Sequence, residues 1–326
     1  MKLLISVCLV LVIVLVSLSA YLRLTHSGIG CEDWPQCYGR IGDFTTSDTT
    51  DPAQTSYQDL VDQASQPLAW ATPLHRLIAS TLGLLIIFLN IAAVRNKRAR
   101  IVCLSLLGLT VYLAILGIRS GSLYDPAVIM GNLSGGFLML GLLGWLSFTQ
   151  DPIPNNPIIK SQSDNRLLKS WTVFALLVVS LQILVGGLTS ANFAATACQT
   201  IPDCHGSWLP DVHLVKAFDL SRQHQVDMSG IVVGGAERVA IHILHRLGAI
   251  LSLLLLTTVG IIAIRAGGLY RVAGALIILL MTIEFAVGVL AVVSALPIVL
   301  AVSHNWLAGL LLLALLWLLS MSRNPD

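Results

Sequence analysis

Residues 239–263 read VAIHILHRLGAILSLLLLTTVGIIA, a run of 25 with one charged residue, Arg246, and two histidines in an otherwise apolar strip. A helix rises about 1.5 Å per residue, so this stretch is long enough to cross a hydrocarbon core of about 30 Å. Short segments of alternating hydrophobicity, the mark of a transmembrane barrel, are absent, and in lipid an isolated segment satisfies its own backbone only as a helix. The run therefore reads as a membrane-spanning helix that carries imidazoles into the bilayer. Seven more apolar runs lie near 3–22, 74–94, 101–118, 127–149, 170–188, 270–292 and 296–320. Composition agrees with them: 56% of the 326 residues are hydrophobic and 11% charged, with mean hydropathy +0.82, whereas soluble domains are about a quarter charged. A soluble enzyme is excluded, and an all-α integral membrane protein of eight spans is expected.

The first run is longer than the roughly 7–15-residue apolar core of a signal peptide, and Leu18-Ser19-Ala20-Tyr21 is a poor cleavage site, so it is expected to remain as a span. No Arg- and Ser-rich leader precedes it, which points to a bacterial inner membrane rather than an organelle. Arg95, Lys97, Arg98 and Arg100 lie in one short connection, Lys160, Arg166 and Lys169 in another, and Arg265 and Arg271 in a third. Basic connections belong in the cytoplasm. Both termini are then cytoplasmic, and the long loops 23–73 and 189–238 periplasmic; the first holds Glu32, Asp33, Asp43, Asp48, Asp51, Asp59 and Asp62. The net charge of only +2 gives no reason to expect a nucleic-acid partner.

The chain is written twice. Cys31 and Cys37 recur as Cys198 and Cys204, an offset of 167, and Leu-His-Arg-Leu at 74–77 recurs at 244–247, an offset of 170. Trp145 maps to Trp317 at 172. Four spans per half, an even number, give both halves the same orientation and a pseudo-twofold axis along the membrane normal. The expected architecture is two similar four-helix bundles, 1–150 and 170–326, joined by a cytoplasmic linker at 151–169. In an oxidising compartment the close pairs Cys31 with Cys37 and Cys198 with Cys204 are expected to form disulfides. Zinc is the rival, because His26 and His205 lie beside these pairs, although the five-residue spacing exceeds the two to four usual for structural zinc. Cys8 and Cys103 fall inside spans and read as packing residues.

Ionisable residues within spans are functional candidates by default. His75 opens the second span, His245 stands near the start of the sixth with His242 one turn before it, and His304 lies at similar depth in the eighth. Two imidazoles facing each other inside a four-helix bundle suit an iron porphyrin, and a lone histidine more often bonds a neighbouring helix. Gly248, Ala249, Ala308 and Gly309 beside them would admit a flat macrocycle. Arg76 and Arg246 follow their histidines, placed either to pair with porphyrin propionates or to snorkel to the interface. The first half differs, because the counterpart of His304 at offset 172 is Asn132, a poor iron ligand. Glu284 in the seventh span needs a partner or a proton, and Gln182 in the fifth reads as an interhelical hydrogen bond.

Arg23-Leu-Thr-His-Ser-Gly-Ile-Gly-Cys-Glu-Asp-Trp-Pro-Gln-Cys-Tyr-Gly39 resembles the first periplasmic loop of the haem A synthase family in its proteobacterial form. Gly186-Gly-Leu-Thr-Ser-Ala-Asn-Phe193 before Cys198 and Cys204, Arg238-Val-Ala-Ile-His-Ile-Leu-His-Arg246, and Ser303-His304-Asn305 resemble its second half, so the similarity spans nearly the whole chain. The resemblance implies oxidation of the C8 methyl of haem O to the formyl of haem A. It implies haem b held by His245 and His304, substrate haem O near His75 in the N-terminal half, and loop disulfides at the paired cysteines. A haem O synthase would supply the substrate, a homo-oligomer is compatible with the chain, and the sequence names no electron donor or oxygen source. Two positions depart from the family: Asn132 stands where a second histidine is common, and Thr72, before Pro73, stands where a glutamate is common. The alternative is therefore a non-catalytic haem-binding paralogue acting as carrier or assembly factor in oxidase maturation. A transporter is a weaker reading, since matched helix breaks are lacking.

Overall fold

A computed structural model describes residues 1–24, 71–94, 97–119, 126–150, 162–198, 200–208, 210–221, 225–226, 232–233 and 235–323. Its eight long helices are α1 (Lys2–Leu24), α2 (Ala71–Ala92), α3 (Lys97–Arg119), α4 (Pro126–Phe148), α5 (Gln162–Ala191), α6 (Ala236–Ala266), α7 (Gly268–Val293) and α8 (Ile298–Met321). All eight are long and apolar enough to cross a membrane, matching the eight apolar runs. The greatest difference is length: α5 has 30 residues and α6 has 31, about 45 Å at helical rise. Each overshoots a ~30 Å core because its polar first turns, such as Glu237-Arg238, read as loop in sequence yet continue the helix. Between α5 and α6 lie a 3-10 turn at Ala194–Thr196, a one-turn helix at Leu214–Ala217 and a two-residue antiparallel pairing of Gln225–Val226 with Val232–Val233. Cys31 and Cys37 lie outside the described residues.

The helices close into two rings. α1 and α3 each pack on both α2 and α4, and α5 and α7 each pack on both α6 and α8. The rings meet where α4 lies on α8, flanked by α1 on α8 and α5 on α4. Ile5, Val12, Ile86, Leu89, Leu106 and Leu143 belong to one buried cluster, and Leu168, Val179, Leu256, Ile277, Leu311 and Leu315 to another. A third, built on Leu133, Phe137 and Leu312, joins them. Large apolar side chains also cover the outside, among them Phe88, Ile91, Leu177, Leu181 and Leu254. Lipid is as apolar as leucine, so close packing rather than water exclusion holds such helices together. Gly274 shows how close it is, for a Cβ there would lie 2.9 Å from the Ala263 Cβ.

Two turns set the depth of the second ring. Gly267 and Gly268, at φ 75° and 54°, join α6 to α7 in conformations that cost glycine nothing. Between α7 and α8, Ala295 and Leu296 adopt φ 56° and 62°, and the Leu296 amide donates to the Ala291 carbonyl at 2.7 Å. Left-handed backbone costs a non-glycine residue roughly 1–2 kcal/mol. The four-residue connection brings Gly288, six residues before Ser294, level with His304, seven after Pro297.

Candidate functional site

His245 is the tenth residue of α6 and His304 the seventh of α8. At helical rise they lie about 14 Å and about 9 Å along their helices, both toward the end that carries the 192–235 loop. α6 and α8 are diagonal corners of the second ring, and the two imidazoles meet across it with centroids 6.1 Å apart and planes at 82°. A metal–imidazole bond is about 2 Å long, so two imidazoles sharing one ion would have ring centres about 6 Å apart, and the spacing of His245 and His304 is compatible with their holding one metal between them.

Glycines from the other two helices form the floor under these rings. A Cβ on Gly186 of α5 would lie 3.1 Å from His245 Cε1, and one on Gly288 of α7 would lie 3.0 Å from His304 Cε1. Each ring also meets a polar side chain at Nδ1, which leaves Nε2 as the atom free to ligate. Gln182 Nε2 lies 3.1 Å from His245 Nδ1 and donates to the His245 carbonyl at 2.9 Å. Glu284 Oε1 lies 3.3 Å from His304 Nδ1. That contact is close but not aligned as a hydrogen bond, so His304 Nδ1 and Glu284 Oε2 are both buried without a hydrogen-bond partner.

The structure gives the other candidates their contacts. Gly248 is covered by the Gln182 side chain, and Gly309 faces Leu140 and Phe137 of α4, so neither opens space for a macrocycle. The close-approach glycines are Gly186 and Gly288, whose role the sequence does not signal because their partners lie on other helices. Arg246 donates to the carbonyls of Asp203 at 3.1 Å and Cys198 at 2.6 Å. Arg238 donates to the Phe193 carbonyl and, at 3.3 Å, to Thr196 Oγ1. Both arginines thus strap the loop to the head of α6. Cys198 and Cys204 are disulfide-bonded, and His205 Nε2 lies 3.0 Å from the Ala197 carbonyl. With Cys204 Sγ in a disulfide, the zinc reading of this pair falls. His242 is 2% exposed, with Nδ1 unpartnered, beside the Leu188, Ala194 and Ile241 cluster.

In the first ring Thr72, His75 and Arg76 occupy the first two turns of α2, and Asn132 the second turn of α4, all partly buried. These helices are diagonal corners, as α6 and α8 are. Next to Asn132, a Cβ on Gly131 would lie 2.8 Å from the Tyr112 hydroxyl of α3, which places a phenol on this side of the first ring. Tyr112 precedes Glu284 by the same 172 positions that separate Asn132 from His304.

Fold and site together define a polytopic helical membrane protein with a paired-imidazole centre in its C-terminal four helices. Residues 2–316 match the family described as cytochrome oxidase assembly protein, and the chain belongs to that family. It is 33% identical over 316 residues to the haem A synthase of Shewanella oneidensis, covering 96% of this chain and 93% of that relative. It is 24% identical over 324 residues to the haem A synthase of Neorickettsia sennetsu, 94% of each chain. Identity to that of Shouchella clausii is 25% over 316 residues, 91% of this chain and 88% of the relative.

Proposed function

We propose that this protein is a haem A synthase, an oxidoreductase that converts the C8 methyl of haem O to the formyl of haem A for cytochrome oxidase biogenesis. The observation that carries the reading is the His245–His304 pair at 6.1 Å in a chain of this family. Haem b held there supplies one-electron chemistry that side chains lack. His245 and His304 would present Nε2 to it, Gln182 and Glu284 orient the rings from behind, and Gly186 and Gly288 let them lie close to α5 and α7. Arg76 and Arg246 are the candidates for its propionates and those of the substrate; Arg246 Nε is buried without a partner.

Haem O would dock in the N-terminal half near His75, with Thr72 and Asn132 beside it, delivered by a haem O synthase. The matching ring contacts and residue offsets support two halves, 1–150 and 170–326 around a linker at 151–169, related by a pseudo-twofold axis along the membrane normal. The basic connections support a bacterial inner-membrane topology with cytoplasmic termini and periplasmic long loops. Each half then places its histidines near the periplasmic face.

The protein should be purified from cells that supply haem O and its extracted haems analysed. Haem A or its hydroxylated precursor is expected; haem B with unconverted haem O would refute the synthase and leave the carrier role. His245→Ala and His304→Ala should each abolish six-coordinate haem b, and its survival in both would refute the ligand assignment.

A further inference from the structure

Glu284 sits within α7, 8% exposed, with Oε1 3.3 Å from His304 Nδ1 and Oε2 without a partner. An ionised carboxylate at that depth is costly and needs a compensating charge. His304 is an ionisable group beside it, and if His304 ligates iron through Nε2 its imidazole stays neutral, with Nδ1 3.3 Å from the Glu284 carboxyl. The compensating charge must then come from beyond the imidazole. Ferric iron in a dianionic porphyrin with two neutral imidazoles carries one net positive charge, and ferrous iron carries none. A carboxylate behind one ligand would therefore stabilise the oxidised state selectively. The other side lacks this feature, because Gln182 behind His245 is a neutral amide.

We infer that Glu284 is the counter-charge and positioning residue of the paired-imidazole centre, holding down the reduction potential of the iron between His245 and His304. The inference rests on the haem reading above. It makes the C-terminal centre a stronger reductant than two histidines backed by amides would be, and so a better electron source for a substrate in the N-terminal ring. The charge lies on one side only, so exchanging the two backing residues should move the potential in opposite directions.

The test is a potentiometric titration of the purified full-length protein, with optical and electron paramagnetic resonance spectra reporting ligation. Glu284→Gln keeps the shape and removes the charge; it should retain a low-spin, six-coordinate haem with a midpoint shifted upward. Gln182→Glu should shift the midpoint downward, and the two changes together should bring it back toward the wild type. An unshifted midpoint in Glu284→Gln with ligation intact overturns the inference and leaves the haem reading standing. If Glu284→Gln loses its haem, Gln182→Glu decides: a lowered midpoint supports the charge argument, and an unchanged or raised one overturns it. A wild-type protein with no six-coordinate haem b would remove the haem reading and this inference together.

Discussion

Replacing Gly288 by alanine tests whether the floor of the site sets its ligand geometry. The added Cβ would lie 3.0 Å from His304 Cε1, whereas carbon atoms in ordinary contact stay about 3.5–4.0 Å apart. The imidazole must therefore move by about 0.5 Å or more, and metal–ligand distances tolerate only about 0.2 Å. The fold does not suffer in proportion. Alanine gains about 1 kcal/mol over glycine within a helix, and local overpacking costs about 1–3 kcal/mol, so the net change in stability stays within about 2 kcal/mol. The expected result is a folded, membrane-inserted protein whose haem b loses part or all of its low-spin, six-coordinate spectrum, read by visible absorption and electron paramagnetic resonance. Gly108→Ala on α3 is the control, since a Cβ there meets nothing within 4 Å among the described residues. An unaltered low-spin spectrum in both Gly288→Ala and Gly288→Val would refute the reasoning.

Three further outcomes follow from the packing. Arg246→Ala removes charge-assisted bonds to the Cys198 and Asp203 carbonyls, each worth about 1.5–3 kcal/mol, so limited proteolysis should cut the 199–235 segment faster while the helices stay protected. Cys204→Ser opens the small ring closed by Cys198 and should cost about 2 kcal/mol of loop-closure entropy, seen as a lower Tm in detergent; a reductant should lower the Tm of the wild type by more than that of the variant. Gly274→Leu drives a side chain into the backbone of α6 beside Gly260 and Ala263 and should prevent accumulation of folded protein, measured by size-exclusion chromatography. Gly108→Leu, where a Cβ meets nothing within 4 Å among the described residues, should accumulate normally.

The eight spans, the repeat and the histidines of interest were legible in the chain because the bilayer imposes local rules. A span must be about 20 apolar residues long, and an ionisable residue inside one stands out against that background. The Cys198–Cys204 disulfide was also legible, because its partners are six residues apart. Gly248 and Gly309 were less legible for the opposite reason: each lies within a few residues of a histidine in sequence, but one is covered by Gln182 and the other faces α4. Helices that are apolar nearly all round give little periodic signal of which face turns inward. Sequence alone thus determined that this is a multi-pass membrane protein with eight apolar spans, motifs repeated along the chain and histidines within the spans, since length, composition and repetition are properties of the chain itself. Only the tertiary structure decided that His245 and His304 meet at 6.1 Å, that Gly186 and Gly288 support them, and that one is backed by Gln182 and the other by Glu284. Those contacts depend on the rotation and depth of four helices around one axis, which are set by packing between segments far apart in the chain.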